Sequence, residues 1–113
     1  MVREEQGSDW LDFCIPSGML AMIFSIDYHW FHETNPWLQE IDQILLRMAD
    51  AVYNAAPFDL ALIGADVSGW LRADEARTTD LERGGILVPS ILVERLKPSG
   101  ASTILSTGVH WFP

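Results

Sequence analysis

The amino-acid sequence predicts an α+β fold, in which a mixed β-sheet of about five short strands packs against one main amphipathic helix. Two observations carry this prediction: helical periodicity between Asn35 and Ala56, and short apolar runs on either side of it. A short C-terminal helix completes the expected set of elements. The length of 113 residues is that of one domain. We therefore expect a single globular α+β domain over residues 1–113, with residues 1–9 frayed.

The main helix is predicted over about residues 36–56. Asn35 is a favoured N-cap residue, Pro36 suits the first helical position, and Pro57 disfavours helical geometry in the residue before it. Apolar side chains recur at helical spacing along this segment. We expect this stripe to face the sheet: Leu38, Ile41, Ile44, Leu45, Met48, Val52 and Tyr53, with Ala49 and Ala56.

The strands of the N-terminal half are predicted from alternation of apolar side chains. Residues 10–15 and 19–28 alternate, and the Pro16-Ser17-Gly18 turn between them predicts an antiparallel hairpin. Residues 58–64 form an apolar run directly after the helix. Because a strand, a helix and a strand make a crossover unit, this run is expected to lie parallel to the 19–28 strand.

The C-terminal half is predicted to contain shorter elements. Residues 65–84 are polar and irregular, although 71–76 and 78–83 could form helical turns with Thr79 or Asp80 as cap. Residues 85–88 are predicted as a short strand or extended segment, and residues 91–96 as a brief helix. Residues 102–112 are expected to form one strand, or two pieces broken at Gly108.

The charge balance restricts the class of partner. Seven Lys and Arg stand against 16 Asp and Glu, which gives a net charge of −9. This acidity argues against nucleic acid and against an anionic membrane surface, since both are bound through cations. It leaves two interpretations: solubility alone, or an acidic face for a basic protein partner.

The single cysteine and the N-terminal composition indicate a cytoplasmic protein. Cys14 cannot form an internal disulfide, and we expect it to be a small buried apolar side chain. The first ten residues are too polar for a signal peptide, and the uncharged run from Phe13 to Ile26 is too short to span a bilayer.

No catalytic, metal or cofactor site is predicted. His29 and His32 are three residues apart, which does not match the His spacing of a helical zinc motif. Asp27, Asp59 and Asp66 lie at predicted strand ends, where such residues usually make turns. The glycines of residues 64–69 lack the spacing of a dinucleotide-binding loop.

The segment from Val67 to Arg83 is the predicted functional region, because Trp70 is a large aromatic residue in a polar run. The predicted partner-binding residues are Asp66, Trp70, Asp74, Glu75, Asp80 and Glu82. The alternative is that Trp70 packs onto the core and the acids are solvated, partly paired with Arg72, Arg77 and Arg83. Residues 110–113 offer a second possible pair of exposed aromatic side chains, with the alternative that the terminal strand docks onto the core through them.

The favoured function is that of a small, acidic, non-enzymatic protein-binding domain. In size, acidity and aromatic content the chain resembles the immunity proteins of bacterial toxins, and this resemblance implies an inhibitor that occludes a basic partner protein. A second hypothesis is a small α+β enzyme or ligand-binding domain with a pocket between helix and sheet, using Tyr28, His29 or Asp66. A third is a structural or self-associating subunit that buries its aromatic residues in a homodimer.

Overall fold

The computed structural model describes residues 11–65, 67 and 70–113, and these residues form an α+β fold. The α+β class predicted from the sequence is therefore confirmed. Within the described residues there are four α-helices and one 3₁₀-helix: α1 (Ser17–Ala21), α2 (Leu38–Ala55), the 3₁₀-helix (Ala73–Glu75), α3 (Thr78–Arg83) and α4 (Ser90–Leu96).

The sheet of the described residues has four strands rather than about five, and it is antiparallel rather than mixed. Its strands are β1 (Ala61–Leu62), β2 (Ile86–Val88), β3 (Thr103–Ile104) and β4 (His110–Phe112), in the order β1-β2-β4-β3. The predicted strand at 58–64 is reduced to β1, which pairs with β2. Its parallel orientation was wrong, because the 19–28 strand that would have begun a crossover does not form.

The predicted N-terminal hairpin is wrong as far as the structure describes it, with Trp10 lying outside the described residues. Residues 11–16 have no regular structure and Ser17–Ala21 is helical, with the Met19 and Leu20 N–H groups donating to the Pro16 carbonyl oxygen. Cys14, expected to be buried, is exposed. The run is apolar at successive positions, so its period was ambiguous, and Met, Leu and Ala are favourable in a helix.

The elements predicted for residues 85–112 are confirmed in outline. β2 and α4 lie where a strand and a brief helix were expected, and the last segment is two strands that meet at a turn ending in Gly108. Gly108 has a φ of +87°, a left-handed conformation that glycine adopts without strain.

The core lies on both faces of the sheet. On one face, Ile86, Val88 and Phe112 pack with Leu81 of α3 and Leu92 of α4. On the other face, the buried cluster is Leu46 of α2 with Leu87, Val109 and Trp111. Successive residues of a strand point to opposite faces, so β2 is buried on both sides and is the centre of this core.

The face that α2 buries agrees with the predicted stripe only in part. Ala49 and Tyr53 of that stripe pack with the buried Leu46, which was not predicted, whereas Ile44, Met48 and Val52 are exposed. Because residues 44–46 are all apolar, the sequence allows two neighbouring stripes on this helix.

The chain forms two compact units, Met1–Ile44 and Leu45–Pro113, here called the N-terminal unit and the C-terminal unit. α2 begins in the first and continues into the second. Leu20 is the only buried apolar residue among the described residues of the N-terminal unit, while the sheet and its core belong to the C-terminal unit. The predicted fraying of residues 1–9 lies outside the described residues.

Candidate protein-binding surfaces

Trp70 is partly exposed, and it lies in the C-terminal unit at a bend before the 3₁₀-helix. Its exposed fraction is 43%, and the Arg83 guanidinium lies 5.0 Å from its ring centroid. This cation–π contact holds one part of the ring, while the exposed part can reach a partner. Of the two possibilities left open for residues 110–113, the structure has the docked strand, because Trp111 and Phe112 are buried in the core.

The segment that carries Trp70 is a packed layer rather than a loose loop. Leu71, Ala76 and Leu81 are buried against one face of the sheet. The layer is also tied to α4, because the Thr78 hydroxyl donates to the Leu96 carbonyl oxygen at 2.6 Å. Trp70 therefore directly precedes a packed segment of the C-terminal unit.

Some of the predicted partner-binding carboxylates have partners inside the chain. Arg72 donates to both Asp74 carboxylate oxygens, at 3.1 and 3.2 Å. The N-cap of α3 is Arg77 rather than the predicted Thr79 or Asp80, and Asp80, at the third helical position, accepts from the Arg77 backbone N–H at 2.8 Å.

The remaining predicted acids are placed differently. Glu82 is exposed and accepts from the Ser99 hydroxyl at 3.1 Å. Glu75 is exposed at the end of the 3₁₀-helix, and Asp66 lies outside the described residues. Residues 70–83 contain four acids and three Arg, so the net charge around Trp70 is only −1.

The acidity of the chain is concentrated elsewhere. Residues 11–44 contain five Asp or Glu and no Lys or Arg, a net charge of −5. Residues 45–113 contain eight acids and six Lys or Arg, a net charge of −2, and residues 1–10 supply the other −2. The acidic members of the first set are Asp12, Asp27, Glu33, Glu40 and Asp42. Most of the net negative charge is therefore carried by residues 1–44.

The N-terminal unit also exposes large apolar side chains. They come from the irregular residues 11–16, from α1 and its following turn, from the loop before α2, and from α2 itself. The set is Leu11, Phe13, Met19, Met22, Ile23, Tyr28, Phe31 and Ile44. Apolar side chains exposed in this number are typical of interaction surfaces. Sequence reasoning missed them because it assigned most of the run to a sheet; the lack of cations over 11–44 was the available signal.

Aromatic stacking orders the interior of this unit. The Phe24 and Trp37 rings are stacked at a centroid distance of 4.6 Å. Trp30 meets Trp37 edge-on at 6.3 Å and Tyr28 meets Trp30 edge-on at 5.8 Å. The Trp37 indole N–H donates to the Ser25 carbonyl oxygen at 3.2 Å. These contacts fix the segment before α2 without a large apolar core.

Asn35 closes the loop that precedes α2. Its side chain is fully buried, with an exposed fraction of 0%. Its amide oxygen accepts from the Asp27 N–H and its amide nitrogen donates to the Asp27 carbonyl oxygen, both at 2.8 Å. The side chain thus holds the loop ends together instead of acting as the predicted cap of the helix, which begins at Leu38.

Each histidine of this loop has a carboxylate partner. The His29 imidazole Nδ1 lies 2.6 Å from Asp27 Oδ1, and the His32 Nε2 lies 2.7 Å from Asp42 Oδ2. The pKa of Asp27 is held below its usual range, chiefly because the His29 backbone N–H donates to the carboxylate. The described residues contain no group of three His, Cys, Asp or Glu that could hold a metal ion.

A polar groove in the C-terminal unit lies beside Asp50. It is open to solvent, has a volume of about 480 Å³, and is lined by Arg47, Asp50, Ala51, Asn54, Ser106 and Thr107. The hydroxyls of Ser106 and Thr107 donate to the Asp50 carboxylate and lower its pKa, the Ser106 bond having the larger effect. Asp50 thereby ties α2 to the β3–β4 turn.

His110 joins three elements of the same unit. Its Nδ1 lies 3.0 Å from the Ser102 hydroxyl oxygen and its Nε2 lies 3.2 Å from the Ser90 hydroxyl oxygen. The Ser90 hydroxyl also contacts the Gly108 carbonyl oxygen at 3.1 Å, and donation there directs its single proton away from the imidazole. In this arrangement the histidine connects the start of α4 to the β3–β4 hairpin.

Comparison of the chain with family models, with curated proteins and with solved structures gives no match. Among the described residues, no helix is long and apolar enough to cross a membrane. The case for a function therefore rests on the surfaces described above.

Proposed function

We propose that the protein is a non-enzymatic binding domain that captures a basic protein partner, mainly through its N-terminal unit. The observation that carries this proposal is the combination found in residues 11–44: exposed large apolar side chains, five carboxylates and no Lys or Arg. Interfaces are built from apolar contacts, while complementary charge selects the partner and speeds the encounter.

The mechanism is occlusion. Long-range attraction brings the basic surface of the partner to the N-terminal unit, and the exposed apolar side chains then exclude water from the contact. A cytoplasmic inhibitor of a basic toxin would act in this way, because carboxylates occupy the place of the phosphates that a basic cleft binds. The expected partner is therefore a basic protein whose functional surface is covered in the complex.

Trp70 provides a second contact with the partner in this proposal, and its contribution to binding differs from that of the N-terminal unit. Because the net charge of residues 70–83 is only −1, its contribution is that of an aromatic anchor rather than an electrostatic one. We expect Trp70→Ala to weaken partner binding by about 2 kcal/mol or more, by a similar factor at low and high salt.

The experiment is capture of the partner from an extract of the source organism, with the purified chain immobilised, followed by affinity measurement on the captured protein. The double variant Glu33→Gln/Glu40→Gln removes two exposed carboxylates of the N-terminal unit. Its matched control, Glu75→Gln/Glu94→Gln, removes two exposed carboxylates of the C-terminal unit.

The proposal expects a basic partner that binds the Glu33→Gln/Glu40→Gln chain more weakly at about 0.1 M salt, with the difference shrinking at about 1 M as screening shortens the Debye length from about 10 Å to about 3 Å. The control variant should bind like the unaltered chain. An acidic partner, or equal losses in the two double variants, would contradict the proposal.

A further inference from the structure

The outer face of α1 and of the turn that follows it carries three exposed apolar side chains. Met19, Met22 and Ile23 are 60%, 86% and 75% exposed. The Ile23 and Phe24 N–H groups both donate to the Leu20 carbonyl oxygen, at 3.0 and 2.8 Å, so helical geometry continues past Ala21. Residues at positions i, i+3 and i+4 of a helix share one face, and these three therefore form a continuous apolar ridge.

The inner face of the same turn is already occupied. Leu20 is buried, and Phe24, four residues later, is stacked on Trp37. The ridge of Met19, Met22 and Ile23 points the other way. Since its inner face anchors the turn, the outer ridge is held in a defined position and is available for a partner.

The side chains of the ridge suit contact with another helix. Two of the three are methionines, whose unbranched and polarisable side chains adapt to differently shaped apolar surfaces. An amphipathic helix laid against such a ridge presents anchors at the same spacing of three and four residues.

Charge complementarity identifies the chemistry of that helix. The unit that bears the ridge has five carboxylates and no Lys or Arg over residues 11–44. A second copy of the same surface would bring like charges together, and an anionic lipid surface would be repelled. A helix whose apolar stripe is flanked by Lys and Arg is complementary both to the apolar ridge and to the negative charge of the N-terminal unit.

We propose that the ridge formed by Met19, Met22 and Ile23 docks a cationic amphipathic helix of the partner. This inference rests on the proposed function in that the partner is basic, and it adds the secondary structure and the side-chain pattern of the segment that is bound. The partner helix lays its apolar stripe on the ridge while its Lys and Arg meet the carboxylates of the N-terminal unit.

The test is calorimetric titration of the full chain with a synthetic peptide of about 18 residues, in which Leu recurs at helical spacing and the other positions are Lys. A peptide of identical composition, scrambled so that no apolar face forms, is the control ligand. The test variant is Met22→Gln/Ile23→Gln. The control variant is Ile91→Gln/Ile104→Gln, which alters two exposed apolar residues of the C-terminal unit.

We expect the amphipathic peptide to bind the unaltered chain and the control variant with equal affinity, and the ridge variant at least roughly tenfold more weakly. The scrambled peptide should bind at least roughly tenfold more weakly than the amphipathic one. Circular dichroism checks that both variants keep the helix content of the unaltered chain.

The inference is overturned if the amphipathic peptide does not bind, if both peptides bind alike, or if the two variants lose affinity equally. It is also overturned if sedimentation shows a dimer that the ridge variant dissociates, because a second copy would then occupy the ridge. Capture of a basic protein that the ridge variant retains, with no peptide binding, would remove this inference and leave the proposed function standing.

Discussion

The two units of this chain are stabilised in opposite ways. In the C-terminal unit a central strand, β2, is buried on both faces, and apolar side chains from α2, α3 and α4 close the core around it. The described residues of the N-terminal unit contain one buried apolar side chain, Leu20, and are held by aromatic stacking and by the amide of Asn35. The C-terminal unit is therefore organised around a packed core, whereas the described part of the N-terminal unit leaves most of its large apolar side chains exposed or half-buried.

The largest expected change in stability comes from a comparison of the same substitution, Leu to Ala, made once in each unit. Leu87→Ala removes a fully buried side chain between the sheet and α2, and we expect the free energy of unfolding to fall by about 2–5 kcal/mol. Leu11→Ala alters an exposed side chain and should change it by less than about 0.5 kcal/mol. Urea denaturation of the two variants measures both values, and equal losses would refute the distinction.

A pair of glycines gives the next largest effect. Gly84 has a φ of +90°, and an added Cβ would lie 2.1 Å from the Pro113 carbonyl oxygen. Gly84→Ala should therefore destabilise the chain by about 1–3 kcal/mol or more. Gly18 lies in α1 with no heavy atom within 4 Å of an added Cβ, so Gly18→Ala should be neutral or stabilising by up to about 1 kcal/mol. Thermal denaturation that gave both variants the same melting temperature would contradict this.

The loop of the N-terminal unit depends on one buried amide. Asn35→Ala leaves the Asp27 backbone N–H and carbonyl oxygen without their bonds to that side chain, which should cost about 1–3 kcal/mol. The matched control is Asn54→Ala, at an exposed position of α2. Amide exchange of the Asp27 N–H should quicken in the first variant alone. Unchanged exchange would show that another group holds the loop.

The smallest expected effect concerns pH. The pKa of Asp50 is lowered by hydroxyl donors from Ser106 and Thr107, so its contribution to stability is present above the ordinary carboxyl pKa. This contribution to stability is lost as the pH falls through the lowered pKa of Asp50 in the folded chain. Asp50→Asn should therefore reduce the melting temperature at pH 7, and the difference from the unaltered chain should disappear in strong acid. A difference that stayed constant down to low pH would contradict the assignment.

The sequence predicted the α+β class and the elements with unambiguous local signals. The helix α2 and the short segments 85–88 and 91–96 were predicted near their observed positions, and the break near Gly108 was one of two alternatives; the structure contains all of them. The run from Leu11 to Tyr28 had no single dominant interpretation, because its apolar residues fit a strand or a buried helix equally well. The choice between them depends on contacts distant in sequence, such as the stacking of Phe24 on Trp37.

The candidate site was predicted only in part for a similar reason. Trp70 could be identified from composition, and it is partly exposed as a partner-binding residue requires. The sequence did not show which of the acids around it have partners inside the chain, where Asp74 pairs with Arg72 and Asp80 accepts from the Arg77 N–H. Exposure of Met22 and Ile23 could not be predicted, because it follows from which face of α1 meets the rest of its unit.

Residue-resolved hydrogen exchange tests the contrast between the units most directly. The amides of β2 and β4 should exchange only through global unfolding, because both strands lie in the two-sided core. The amides of Ile23 and Phe24 should exchange at least an order of magnitude faster through local opening, and should slow when a basic partner binds. If the amides of β2 and of the turn after α1 were equally protected in the isolated chain, the claim that the two units differ in local stability would be contradicted.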